Sequence, residues 1–119
     1  MKIKKIVKIL DAKVLAGEKF LDFDITNCGA SDLMSDVLSR ISSPDLLLSG
    51  LSNPQVIRTA SLSGIKTIVI VRGKKIDKSI IELAQKENIV LLLTKLSCFG
   101  ACGLLYEKGL RNKDDMKAE

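Results

Sequence analysis

The stretch Thr67-Ile68-Val69-Ile70-Val71 decides the fold. All five residues are β-branched, a chemistry that loses rotamer freedom in a helix and packs well on a pleated strand. None is charged, so neither face is marked for solvent, as expected of a parallel strand covered by helices on both sides. Upstream, Asn53-Pro54 supplies a cap and a proline at the first helical position, and Gly64 supplies the matching stop. Before that helix, Asp45 to Ser49 reads as a short apolar strand. Downstream, Asp77 caps a helix carrying Ile80, Ile81, Leu83 and Ala84, and Ile89 to Leu93 reads as a further buried strand. Either Thr94 or Ser97 then opens a last helix, with Leu96, Phe99, Gly103 and Tyr106 on one face and Gly109 just past its end. Strands recur about every 22 residues, the rhythm of right-handed parallel crossovers.

The N-terminal third is less regular. Ile3, Ile6, Val7 and Leu10 fall at helical spacing with lysines opposite, so a short helix is expected there. Ala12 to Ala16 reads as a strand stopped by Gly17, and a second strand is expected near Phe23 to Thr26, followed by a turn at Asn27-Cys28-Gly29. Ser31 or Asp32 is placed to cap a helix whose apolar face is Met34, Val37, Leu38 and Ile41. Residues 1–110 form one domain on this reading, and 111–119, charged and without periodicity, form a flexible tail.

Composition narrows the functions available. The 119 residues are 46% apolar but only 3% aromatic, so the core is aliphatic. The net charge is +5, and the lysines are spread along the chain. With four scattered aromatic residues and no recognised module, a nucleic-acid interface is not indicated; a solvated lysine surface accounts for the charge. No apolar run approaches the roughly 20 residues of a membrane span. Three cysteines, an odd number, do not suit a disulfide framework and point to a reducing, cytoplasmic setting.

Ligands of open parallel sheets bind outside the carboxyl ends of the strands. Three loops converge there, and they nominate Ser49, Gly50, Asn53, Arg72, Thr94 and Ser97 as candidate contacts to a small anion or nucleotide. The same residue types also serve as caps and turns. No G-x-x-x-x-G-K-[ST] or G-x-G-x-x-G run is present, and without histidine the commonest general base and metal ligand are missing. Asp22/Asp24 and Asp32/Asp36 are spaced to share a strand face and a helix face, respectively; such pairs more often serve as caps or solvated charge than as catalysts. No catalytic set and no cofactor follow. Cys98 and Cys102 lie i, i+4 on the last helix, and Cys28 sits in the turn before the first long helix. Three thiolates can begin an iron–sulfur or zinc site, but such sites usually want four ligands, and a buried small hydrophobe is the simpler role. The small residues Gly100, Ala101 and Gly103 would let another backbone approach, from the sheet or from a partner subunit.

The succession of these elements resembles the DRTGG domain. The resemblance is carried by Leu15-Ala16-Gly17, by Leu21-Asp22-Phe23-Asp24-Ile25-Thr26, by Ser31-Asp32-Leu33-Met34-Ser35-Asp36-Val37 (similar to the family's G-D-L-L-S-D-V), by Leu48-Ser49-Gly50 and by Arg58-Thr59-Ala60. It departs at the name-giving positions, with Phe23 in place of the arginine and Asn27-Cys28 where glycines are common. The resemblance implies a three-layer α/β/α fold with a mostly parallel sheet, like the N-terminal domain of HPr kinase. It also implies a non-catalytic regulatory or dimer-forming role, as in the copies found within phosphate acetyltransferases and between CBS domains of some pyrophosphatases. Free-standing copies similar to this chain are encoded beside iron-only hydrogenases, so a redox-associated subunit of such a system is the alternative it implies.

Overall fold

A computed structural model describes residues 1–39 and 44–117. In chain order the elements are α1 (Ile3–Ile9), β1 (Lys13–Ala16), a 3-10 turn (Glu18–Phe20), β2 (Cys28–Ala30), α2 (Met34–Leu38) and β3 (Leu46–Ser49). There follow α3 (Pro54–Ser63), β4 (Thr67–Ile70), α4 (Lys78–Lys86), β5 (Val90–Leu93), α5 (Cys98–Glu107) and α6 (Lys113–Lys117). Five strands form one sheet in the order β1-β5-β4-β3-β2. The four from β2 to β5 are parallel, and β1 runs antiparallel along the β5 edge, with a bulge between Val14 and Ala16.

Side chains alternate across this sheet, as the pleat requires. Leu47, Ile68, Ile70 and Leu91 pack on one face against Val56, Ile57 and Ala60 of α3, Ile80 and Ala84 of α4, and Met34 and Val37 of α2. Leu46, Leu48, Val69, Val90 and Leu92 pack on the other face against Ile3 and Ile6 of α1 and Ala101 and Leu105 of α5. The result is the α/β/α arrangement with a mostly parallel sheet. Thr67 to Val71 is buried at every position, which fits a strand covered on both sides. The α3 punctuation also reads as expected: Asn53 Oδ1 accepts from the Val56 N–H at 3.3 Å, and Gly64 ends the helix at φ 76°.

Several local expectations fail for physical reasons. No strand forms at Phe23–Thr26. The chain entering that segment bonds instead to the start of α1, whose first turn has no side-chain cap: Phe23 O accepts from Ile3 N–H at 3.0 Å and Leu21 O from Lys4 N–H at 2.9 Å. The strand lies instead at Cys28–Ala30, where a turn was expected, because those residues pair with Leu46–Leu48. Asp77 occupies the N-cap position of α4 without a side-chain cap. Asp22 and Asp24 are not a carboxylate pair facing one site; Asp22 pairs with Lys4 at 2.9 Å, and Asp24 lies 3.8 Å from both Lys2 and the N-terminal ammonium. Ile41, assigned to the α2 face, lies outside the described residues.

The segment expected to be a tail starts as part of the fold. Cys28 N–H donates to Arg111 O, Asn112 Nδ2 donates to Cys28 O at 2.7 Å, and Lys113 N–H donates to the buried Asn27 Oδ1 at 2.9 Å. On α5, Ala101 and Leu105 face the sheet, while Phe99 and Tyr106 point to solvent, 90% and 61% exposed.

Candidate functional site

The carboxyl ends of β3, β4 and β5 carry three loops that are stitched together by their backbones. Val71 N–H donates to Ser49 O, Arg72 N–H to Leu96 O at 2.8 Å, and Gly73 N–H to Thr94 O at 2.8 Å. To make the last two bonds, the chain turns through positive φ at Arg72 (70°) and Gly73 (57°). Positive φ is uncommon for a side chain as large as arginine.

Asp32 is the organising residue of this edge, and it does not cap α2. Its Oδ1 accepts from the Ser49 hydroxyl at 3.0 Å and from Gly50 N–H at 2.6 Å. Ser49 is fully buried, and its Oγ also accepts from Leu51 N–H at 3.2 Å. The Arg72 guanidinium lies so close to Gly50 that a Cβ there would collide with it, and Lys74 Nζ donates to Gly50 O. Lys95 packs beside Gly73. The Asp32 carboxylate is therefore faced by two cations, Arg72 and Lys74, with Lys95 close by at Gly73, so the edge is cationic.

The Gly50 N–H, above all, holds the Asp32 carboxyl below the usual carboxylate range, helped by the Ser49 hydroxyl and by Arg72 and Lys74, and opposed by partial burial. A folded-state pKa below the unfolded one stabilises the fold above the unfolded value and loses that contribution as pH falls. The stability difference between wild type and Asp32→Asn should therefore be present at pH 6. It should shrink from about pH 5 downward, as Asp32 protonates. Because Asp32 is exposed, the pH-dependent part should stay below about 1 kcal/mol. Urea denaturation at pH 6 and pH 3 checks this, and a difference that does not change with pH would refute the assignment.

Of the six residues nominated from sequence, Ser49, Gly50 and Arg72 come together. The other three spend their polar side-chain groups within the fold. Asn53 caps α3, Ser97 accepts from Gly100 N–H at 3.1 Å as the cap of α5, and the buried Thr94 donates to Leu10 O at 2.7 Å. Asp32, read as a cap, and Lys74, in the same Arg72-Gly73-Lys74-Lys75 loop as Arg72, were not among the six. A lysine two residues beyond Arg72 in a loop at a strand's carboxyl end was the available signal for Lys74. Asp32 offered none beyond its cap-like position.

The cysteines lie apart from this edge. Cys98 and Cys102 Sγ are 4.0 Å apart, and Cys28 and Cys102 line a common cavity of about 290 Å³ between β2 and α5. Burial pushes the Cys28 thiol up to about 12, with Asp45 and Cys102 adding to it, and pushes Cys102 to about 11, with Cys98 adding. Both shifts oppose the thiolate that metal binding and nucleophilic attack require. Among the described residues no three histidine, cysteine or acidic side chains are placed to hold a metal ion, and no helix is long and apolar enough to cross a membrane.

A mostly parallel sheet sandwiched by helices, with a polar carboxyl edge, is a frame suited to binding. The model of the DRTGG domain matches residues 5–107, and the chain belongs to that family. No curated protein matches it in sequence. Among solved structures it is similar to the CBS and DRTGG domains of the regulatory region of Clostridium perfringens pyrophosphatase, complexed with the activator diadenosine tetraphosphate. The TM-score is 0.71 at 22% identity, over 87% of this chain and 45% of that one. At that identity the likeness establishes the fold, and the chain spans less than half of its neighbour's length.

Proposed function

We propose that this chain is a non-catalytic regulatory module that binds a small anion or nucleotide at the carboxyl edge of its sheet. The observation that carries the reading is the convergence of Arg72 and Lys74 on Gly50, beside an Asp32 carboxylate already committed to Ser49 and Gly50. Ser49 and Gly50 shape the loop, and the two cations meet the ligand. The non-catalytic part of the reading is supported by the Cys28 and Cys102 thiols, both of which burial pushes up, away from the nucleophilic thiolate. That the neighbour's regulatory region takes a nucleotide activator is consistent with this ligand class. The three free cysteines suit a reducing, cytoplasmic setting. No feature of their geometry favours an iron–sulfur role or a hydrogenase partner.

Thermal-shift titration with AMP, ATP, diadenosine tetraphosphate and acetyl phosphate tests the proposal. A ligand at a hundred times its Kd should stabilise the fold by about 2.7 kcal/mol. The double variant Arg72→Ser/Lys74→Gln should lose about tenfold or more in affinity while keeping its melting point within a degree or two. If no compound in the set stabilises the protein, or the double variant binds as well as wild type, the reading fails.

Self-association belongs to the same proposal and is supported by α5. Its outward stripe runs from Phe99 through Gly103, where nothing stands within 4 Å of a Cβ position, to Tyr106. Light scattering should show a dimer that Phe99→Asp converts to monomer. A wild-type monomer at high concentration would refute this part.

A further inference from the structure

We infer that the cleft at the amino end of the sheet is a second binding site, one that takes a planar heteroaromatic ring bearing an anionic group, of the nucleoside monophosphate class. The cleft has a volume of about 460 Å³, within the range of small-molecule sites, and Phe20, Phe23, Thr67, Lys19 and Lys66 line it. It lies at the opposite end of the strands from Arg72 and Lys74, so it does not depend on the carboxyl-edge reading.

Three observations define the ligand. First, Thr67 is fully buried at the start of β4, and its hydroxyl has no hydrogen-bond partner among the described residues. A buried hydroxyl without a partner is costly, and valine would fill this strand position without that cost. Thr67 lines the cleft, and its oxygen is covered in the free structure, so a ligand's polar atom would complete the hydroxyl, which can both donate and accept, once a covering side chain moves aside.

Second, Phe20 and Phe23 pack at 5.4 Å between ring centroids with a tilt of 56°, and Phe23 is 59% exposed at the mouth. Two of the chain's four aromatic residues thus meet in the lining of this cleft, and aromatic surface of Phe23 is exposed there. Flat heterocycles stack on aromatic faces. Third, the acids at the rim are already engaged. Asp24 lies 3.8 Å from the N-terminal ammonium and from Lys2, and Asp45 Oδ2 accepts from Thr26 N–H, the Thr26 hydroxyl and Asn27 N–H. Lys66 and Lys19 have no ion-pair partner among the described residues; Lys19 rests 5.1 Å from the Phe20 ring centroid. Asp45 keeps its charge, but with Asp24 balanced by Lys2 and the N-terminal ammonium, Lys19 and Lys66 together outweigh it, and the net positive rim suits a phosphate or carboxylate.

Titration calorimetry and NMR shift mapping with AMP, GMP, CMP and UMP test the site, with adenosine and inorganic phosphate as partial ligands. At least one nucleotide should bind and shift resonances of Phe20, Phe23 and Thr67. Phe23→Ala and the isosteric Thr67→Val should each weaken it about tenfold, and Lys66→Gln should weaken it to a lesser degree. Arg72→Ser/Lys74→Gln should leave it unchanged. Absence of binding at about 1 mM by all four nucleotides overturns the inference, as does phosphate alone binding as well as any of them. Binding lost only in the Arg72/Lys74 variant overturns this site and leaves the carboxyl-edge reading standing. Binding lost only in the Phe23 and Thr67 variants establishes this site by itself.

Discussion

Gly17→Ala should cost about 3 kcal/mol of folding stability, and Gly64→Ala only about 1. The two glycines have nearly the same backbone, at φ 85° and 76°, so the left-handed penalty of about 1–2 kcal/mol for alanine applies to both. What differs is space. A Cβ on Gly17 would stand 2.8 Å from both Cα and Cγ2 of Val90, whereas nothing lies within 4 Å of one on Gly64. Val90 is buried in β5 and hydrogen-bonded through its N–H to Lys66 O, so its Cα cannot retreat as a side-chain tip can. Overpacking of this kind adds about 1–3 kcal/mol. Gly17 also follows directly on β1, the one antiparallel strand, so the strain falls where that strand is held against β5. Urea denaturation of the two variants side by side is the measurement. Equal losses would mean that the chain leaving β1 does not pass over Val90 as described.

What was legible in the sequence was what is decided within a few residues. Asn53-Pro54 and Gly64 bracket α3 because a cap, a locked φ and a left-handed exit act locally. Thr67–Val71 announces a buried strand through five consecutive side chains. The spacing of β3, β4 and β5 marked them as parallel, but β1 has no such crossover before it, and alternation is the same in parallel and antiparallel ladders. The reversal of β1 against β5 left no mark. Cys28–Ala30 contains no β-branched residue and reads as a turn; it becomes a strand through Leu46–Leu48 on one side and the Arg111 carbonyl bonded to Cys28 N–H.

The candidate site divides along the same line. Position at the ends of the parallel strands brought Ser49, Gly50 and Arg72 into view, because sheet topology alone delivers them. Asp32 looked like a helix cap, since its partners Ser49 and Gly50 are 17 and 18 residues away. The incomplete hydroxyl of Thr67 was hidden for the opposite reason: threonine is an ordinary strand residue, and only the surrounding fold shows that its oxygen is left without a partner.

Thr94 separates a structural role from a ligand role, and Thr94→Val should cost about 1–3 kcal/mol while leaving anion affinity unchanged. The side chain is 1% exposed, and its hydroxyl bridges distant parts of the chain, donating to Leu10 O at the end of α1 and accepting from Leu96 N–H at 3.3 Å. Valine keeps the shape, so the aliphatic packing survives. What is lost is the partner of a carbonyl on a residue that is itself buried, and a buried acceptor left unpaired bears the full cost of its desolvation. Arg72→Ser/Lys74→Gln should do the reverse, weakening ligand binding while moving stability by no more than about 0.5 kcal/mol, as expected at a solvent-facing edge. Denaturation and ligand titration on the same two proteins give four numbers. The assignment requires the large changes to fall on opposite corners of that square. A Thr94→Val protein as stable as wild type but deficient in ligand binding would mean that this hydroxyl faces the ligand and does not tie α1 to the end of β5.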